Sequence, residues 1–183
     1  MNKKYFKTID IATIILFSPL YAILNLYIGP LGFALLKLPV LCDVAVFFTL
    51  LLVVWLSAKF GSASIVGLIG SLIVLSLRPS PHIIGFAAAS VLFDILMAVN
   101  RHKISLNTYS MASAAIVTAI SAYFAGALIG AFFMEKPLSS ATLQWALTLW
   151  GGWHLIGGIA SLAIAFPIMA ILERANVKRI KSV

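Results

Sequence analysis

In the stretch LWGGWHLIGG, Leu149 to Gly158, an imidazole lies beside Trp150 and Trp153 between two glycine pairs, inside a run otherwise apolar enough to cross a membrane. An ionisable group in that setting is costly to bury and is a functional candidate by default. His154 can donate or accept a hydrogen bond. Gly151, Gly152, Gly157 and Gly158 take up little volume around it, and Trp145, Trp150 and Trp153 offer flat surfaces for stacking, so the segment has the parts of a small-molecule pocket. The same parts also fit an interfacial tryptophan belt with the histidine bonded to a serine of a neighbouring helix. On a helix His154 and Trp150 share a face, whereas Trp153 stands about 100° away. Counted from a helix start near Leu143, His154 is roughly 16 Å deep at 1.5 Å per residue.

The other ionisable groups are dispersed. Asp10 and Glu173 fall at helix ends, where a solvated cap or the neighbouring Arg174 accounts for them. Asp43 follows the start of an apolar segment, a position that suits capping through its charge near a helix N-terminus. Lys37, six residues earlier, offers an ion pair or a polar contact to a ligand as alternatives. Asp94 precedes Asn100, Arg101 and His102. It suits burial against another helix with hydroxyls or a basic loop residue as partners, or a response to a docked subunit.

Several kinds of catalysis lack their residues. There is no GxxxxGK[ST] phosphate loop. The GSAS at Gly61 to Ser64 lacks the closing glycine of a serine-nucleophile elbow. His82 and His102 fall in loops on opposite sides, so paired axial haem ligation is not available. Asp10, Asp43, Asp94, Glu135 and Glu173 form no close carboxylate pair, and Cys42, the only cysteine, allows neither an intrachain disulfide nor a cysteine metal site. No catalytic residue, metal or cofactor is therefore expected.

The elements that position these residues follow from composition. Of the 183 residues 62% are hydrophobic and 10% charged, and the mean hydropathy is +1.10, well away from a soluble domain. The expectation is an all-α polytopic membrane protein: one domain over 1–183, a compact bundle of six transmembrane helices at about 9–28, 40–58, 62–77, 83–99, 108–134 and 143–172. The first run is long enough to span and has no small-residue cleavage site, so it reads as a retained helix. Breaks at KFGS, RPSPH, NRHKISLN and MEKPLSS carry turn residues and charge. Ser110, Ala114, Thr118, Ala122, Gly126 and Gly130 recur every four residues and predict a ridge facing protein.

Basic residues decide the orientation. With the N-terminus inside, ten lie on the cytoplasmic side (Lys3, Lys4, Lys7, Lys59, Arg101, Lys103, Arg174, Lys178, Arg179 and Lys181) and three outside (Lys37, Arg78 and Lys136). Both termini are thus expected in the cytoplasm of a multi-pass protein of the cell membrane. The net charge of +8 is explained by this bias and by attraction to anionic lipid, without nucleic acid.

In length, helix count and cytoplasmic termini, and locally in IATIILFSPLYAILNLYIGPLGFALLKLPV, the chain resembles the substrate-binding S components of energy-coupling factor (ECF) importers of vitamins and metals. The resemblance implies a subunit that takes a small molecule from outside and delivers it inward with a transmembrane coupling protein and two ATPase subunits. It implies a site between the Pro30 to Lys37 loop, with Phe33 and Lys37, and Trp150, Trp153 and His154. It implies a docking face on the first helix at Ala12, Ser18 and Ala22. The aromatic walls favour a flat, vitamin-like ligand over a bare metal ion. The competing class is a membrane scaffold or assembly subunit whose ridges serve packing alone.

Overall fold

Helices that are apolar on every side cannot be sorted into inner and outer faces by polarity, so small residues and the few polar ones decide how they pack. The computed structural model describes residues 5–134, 136–175 and 177. Lys3, Lys4, Glu135, Lys178, Arg179 and Lys181 lie outside the described residues. Among those described there are six helices and no strand: α1 (Thr8–Leu36), α2 (Val40–Ser57), α3 (Ser62–Leu77), α4 (Ile83–Leu96, continued by a 3-10 turn Met97–Asn100), α5 (Thr108–Phe132) and α6 (Ser140–Arg174). Five are long and apolar enough to cross a membrane, while α3, with 16 residues, is shorter. At 1.5 Å per residue α3 is about 24 Å long, below the ~30 Å hydrocarbon core.

The caps follow the local sequence. Asn107 accepts from the Ser110 amide at 2.8 Å and Ser139 from the Thr142 amide at 3.1 Å, which fixes the starts of α5 and α6. Asp10 accepts from the Lys7 amide at 2.8 Å at the start of α1. It caps the helix as expected, but it is fully buried and not solvated.

α2 is the internal helix: Val46, Phe47, Leu50, Leu51, Val53 and Val54 are all fully buried. It packs on α1 and α6, and the remaining order of contact runs α1 to α3, α3 to α4, α4 to α5 and α5 to α6. Ile15, Leu16, Ile23 and Tyr27 of α1 and Leu72 of α3 point outward and form an apolar exterior suited to lipid. The predicted ridge of α5 is buried along its whole length, with Ser110, Ala114, Thr118, Ala122, Gly126 and Gly130 all inside. A Cβ on Gly158 of α6 would fall 2.5 Å from Ala122 Cβ, so these two helices approach almost backbone to backbone.

Three boundaries differ from expectation. α1 continues to Leu36 rather than stopping near Ile28, so the stretch from Pro30 is helix and the connection to α2 is only Lys37 to Pro39. The cause is packing: a Cβ on Gly29 would lie 3.0 Å from Cys42 Sγ and one on Gly32 2.8 Å from Leu41 Cβ, so a glycine face holds this turn of α1 against α2 despite Pro30. α5 ends at Phe132, and α6 starts at Ser140, three residues before the expected Leu143. α6 also contains a π turn, Ala146–Trp150.

Candidate functional site

His154 sits in α6 with 1% of its surface exposed, and its partner is not a serine. Its Nδ1 lies 3.0 Å from Oδ1 of Asp43, a residue 111 positions away on α2 that is itself fully buried. Asp43 stands in the first turn of α2, the expected capping position, but it is buried on His154 and does not pair with Lys37. Two glycines make the pair possible: a Cβ on Gly126 would fall 2.6 Å from the His154 ring, and one on Gly157 2.7 Å from Asp43 Cβ. The glycines flanking His154 thus serve close helix approach more than ligand volume. Gly151 and Gly158 pack on Tyr123 and Ala122, and only Gly152 faces open space.

Aromatic rings surround the imidazole. Trp150 meets it edge-on at 5.7 Å and Phe86 of α4 lies tilted at 5.6 Å. Trp145 stacks on Trp150 at 5.1 Å, and Phe33 of α1 approaches Trp150 at 6.2 Å. Stacking between residues five apart needs the π turn. In a regular α-helix positions i and i+5 diverge by about 140°, and the wider winding of a π turn brings them onto one side. Tyr123 Oη of α5 donates to the Leu147 carbonyl at 2.8 Å, within that turn. The Lys136 ammonium lies 3.7 Å from the centre of the Trp145 ring, a cation–π contact at the rim.

A small cavity of about 60 Å³ is lined by His154, Trp150, Phe86, Phe33, Cys42 and His82. Phe33, Cys42 and His82 also line a larger neighbour of about 270 Å³, whose walls include Asn25, Arg78 and Ser80. A third recess, about 440 Å³, opens between the α3–α4 and α5–α6 connections, with His82, Met134 and Lys136 in its walls. All three lie towards the end of the bundle that carries Lys37, Arg78 and Lys136. His82 touches all of them. Crowding by protein pushes the His82 imidazole below its ordinary value, helped by the positive charge of Arg78 and by His154.

The structure brings His154, Trp150 and Phe33 together. Trp153 is half-buried and lines none of these cavities, and Lys37, exposed with a left-handed φ of 57°, lines none either. The docking residues divide: Ala12 is exposed, whereas Ser18 and Ala22 are 2% and 1% exposed. A Cβ on Gly70 of α3 would meet Tyr21 and lie 3.1 Å from the Ser18 carbonyl, so this small-residue face of α1 is used to pack α3 inside the chain. Asn25, Cys42, Arg78, His82 and Phe86 were not singled out from the sequence as site residues. The RPSPH loop, with a cation and an imidazole held by prolines, was the signal available for two of them.

At the opposite end Asp94 of α4 accepts from the amides of Gly61 and Ser64, both at 2.9 Å, and so caps α3 from a neighbouring helix. His102 Nε2 lies 2.8 Å from the Asp94 carbonyl and 3.3 Å from Oδ1. Burial alone would push the His102 imidazole down, but hydrogen bonding and charge attraction from Asp94 outweigh it and hold it above its ordinary value.

Among the described residues no three His, Cys, Asp or Glu side chains converge as a metal site would require. No protein family, curated protein or solved structure matches the chain.

Proposed function

We propose that the chain is the substrate-binding membrane subunit of an importer of the ECF type, taking up a small, flat, vitamin-like molecule at the cavities beside His154. The observation that supports this reading most is a buried polar pair, Asp43–His154, set next to aromatic-lined space near one end of the bundle. A pair serving only to hold helices together has no need of adjoining cavities or of the Trp145–Trp150 stack beside it. The positive-inside rule, applied to Lys59, Arg101 and Lys103 against Lys37, Arg78 and Lys136, assigns the cavity end to the outside of the cell membrane and both termini to the cytoplasm. In this reading, single cysteines at Lys37, Arg78 and Lys136 react with an impermeant maleimide in intact cells, and those at Lys59 and Lys103 do not.

With no phosphate loop of its own, the chain depends in this reading on a coupling protein and two ATPase subunits. Because Ser18 and Ala22 are internal, contact with the coupling protein would use the exposed stripe Ala12, Leu16, Pro19, Ile23 and Tyr27, which recurs at helical spacing along α1. Ala12→Trp should then lower uptake while leaving ligand binding intact.

The reading is tested by screening vitamin-like small molecules against the purified protein by melting temperature. A ligand at 100 times its Kd stabilises a one-site protein by about 2.7 kcal/mol, a shift that is readily measured. A ligand that stabilises the wild type supports a binding subunit. No stabilisation by any compound favours a scaffold.

A further inference from the structure

Asp43 Oδ2 and His154 Nε2 are buried and have no hydrogen-bond partner among the described residues. The proton inventory of the pair determines what Nε2 offers. A lone negative charge in surroundings this apolar is far costlier than a hydrogen-bonded pair of zero net charge. A pair of zero net charge holds two protons, either as imidazolium and carboxylate or as neutral imidazole and carboxylic acid. Nδ1 and Oδ1 share one of these protons across their 3.0 Å contact, and the other sits on His154 Nε2 or on Asp43 Oδ2; Oδ2 packs against Gly157, and only His154 of the two lines a cavity. A ligand that brings an acceptor to Nε2 selects the arrangement with the proton there and satisfies an otherwise unpartnered buried donor.

The far wall of the site is also a donor. Arg78 lies at the end of α3, exposed, lining the 270 Å³ cavity with Asn25 and Ser80. Neither the Asp94–His102 pair nor the Asp43–His154 pair involves it. Lys136 stands at the rim of the adjoining recess, and Asp43, the described carboxylate nearest the cavities, is engaged by His154. Between Arg78 and His154 the lining is mostly flat rings, with Phe33, Cys42 and the His82 imidazole common to the two cavities, and Phe86 and Trp150, whose indole N–H is itself unpartnered among the described residues, beyond them. A volume of about 270 Å³ lies just below the ~300–1,000 Å³ of sites for drug-sized ligands, so the occupant is small.

We infer that the ligand is a small planar anion with two separated acceptor ends: an acidic group held at the mouth by Arg78, and a ring nitrogen or carbonyl that accepts from His154 Nε2 at the bottom. This rests on the binding-subunit reading above and adds the chemical class to it.

Matched probes test it without depending on any variant that fails to fold. The set comprises positional isomers of quinolinecarboxylate, which carry both acceptor ends, with naphthalenecarboxylates, methylquinolines and methylnaphthalenes, which lack the ring acceptor, the charge or both. Each is titrated against the purified wild type and against Arg78→Gln and His154→Leu. The inference expects at least one quinolinecarboxylate to bind, with its naphthalene and its methyl counterparts each at least tenfold weaker. Arg78→Gln should erase the preference for the carboxylate, and His154→Leu the preference for the ring nitrogen. The inference is overturned if no quinolinecarboxylate binds, if uncharged probes bind as well as acids, or if naphthalenes bind as well as quinolines. The two failures are distinguishable. A vitamin-like ligand from the broader screen that has no acid or no acceptor sinks this chemical class and leaves the binding subunit standing, whereas a screen without ligands sinks the binding subunit itself.

Discussion

The protein buries two aspartate–histidine pairs, one towards each end, and they are built to different ends. Asp94 and His102 are eight residues apart, and the carboxylate also accepts two backbone amides at the start of α3. Asp43 and His154 are 111 positions apart on two helices, make a single 3.0 Å contact, and leave Asp43 Oδ2, packed against Gly157, and His154 Nε2 without partners among the described residues; only His154 of the two lines a cavity. The first is a structural joint that caps α3, although Asp94 Oδ1 has no hydrogen bond among the described residues and meets only the His102 ring at 3.3 Å. The second is held in place by glycines and borders a cavity, as the proposed ligand site requires.

The largest expected effect falls on the joint. Asp94→Ala would strand the part-buried Gly61 and Ser64 amides, and at ~1–3 kcal/mol for each fully buried unsatisfied group the loss is at most about 2–6 kcal/mol. Melting of the purified variant should show that loss, and an unchanged melting temperature would mean that the α3 start is capped in some other way. The next effect falls on the site. His154→Ala should weaken the screened ligand about five- to a hundredfold, from ~1–3 kcal/mol at ~1.4 kcal/mol per decade, with Trp150→Ala weakening it further if its ring stacks on the ligand. Wild-type titration curves from both variants would move the site elsewhere.

Two glycines sharpen the same contrast. Gly126→Ala introduces a Cβ 2.6 Å from the His154 ring, and overpacking of this kind typically costs ~1–3 kcal/mol, with ligand affinity falling as the ring is displaced. Gly152→Ala meets nothing within 4 Å and should stabilise α6 by roughly 0.5–1 kcal/mol through helix propensity. Equal behaviour of the two variants would contradict the close-packed geometry at His154.

The smallest effect is a pH dependence confined to the joint. The folded His102 imidazole lies above the unfolded value of about 6.5, so its stabilisation is complete below that pH and is lost as pH rises through the raised folded value. Wild-type melting temperature should therefore decline on that side of neutrality, and His102→Gln should flatten the decline. A variant that keeps the full pH dependence would place its origin in another group.

Much of the architecture was legible in the sequence because apolar runs broken by turn residues mark helices directly, and a four-residue small-residue spacing marks a buried ridge. The same spacing does not say which neighbour a ridge meets. Ser18 and Ala22 form a real small-residue face, yet it packs α3 within the chain. Gly29–Pro30 reads as a break in water, but a glycine face packed on α2 carries the helix through it to Leu36. His154 was conspicuous as an imidazole in an apolar run. Its partner was not, since nothing local to Asp43 encodes a contact with α6, and the stacking of Trp145 on Trp150 depends on a π turn that periodicity cannot reveal.

The central claim is that Asp43 and His154 are retained for a ligand and not for stability. Leucine matches the size of the aspartate side chain and is smaller than histidine, and replacing both members of a buried ion pair by apolar residues of similar volume is often neutral or stabilising, so any loss is confined to the space left at His154. The decisive measurement is ligand titration of the double variant Asp43→Leu, His154→Leu alongside its melting temperature. The expected double variant folds with a melting temperature close to that of wild type and loses the ligand-induced melting shift. A double variant that binds the ligand with wild-type affinity, or that unfolds for want of the pair, would contradict it.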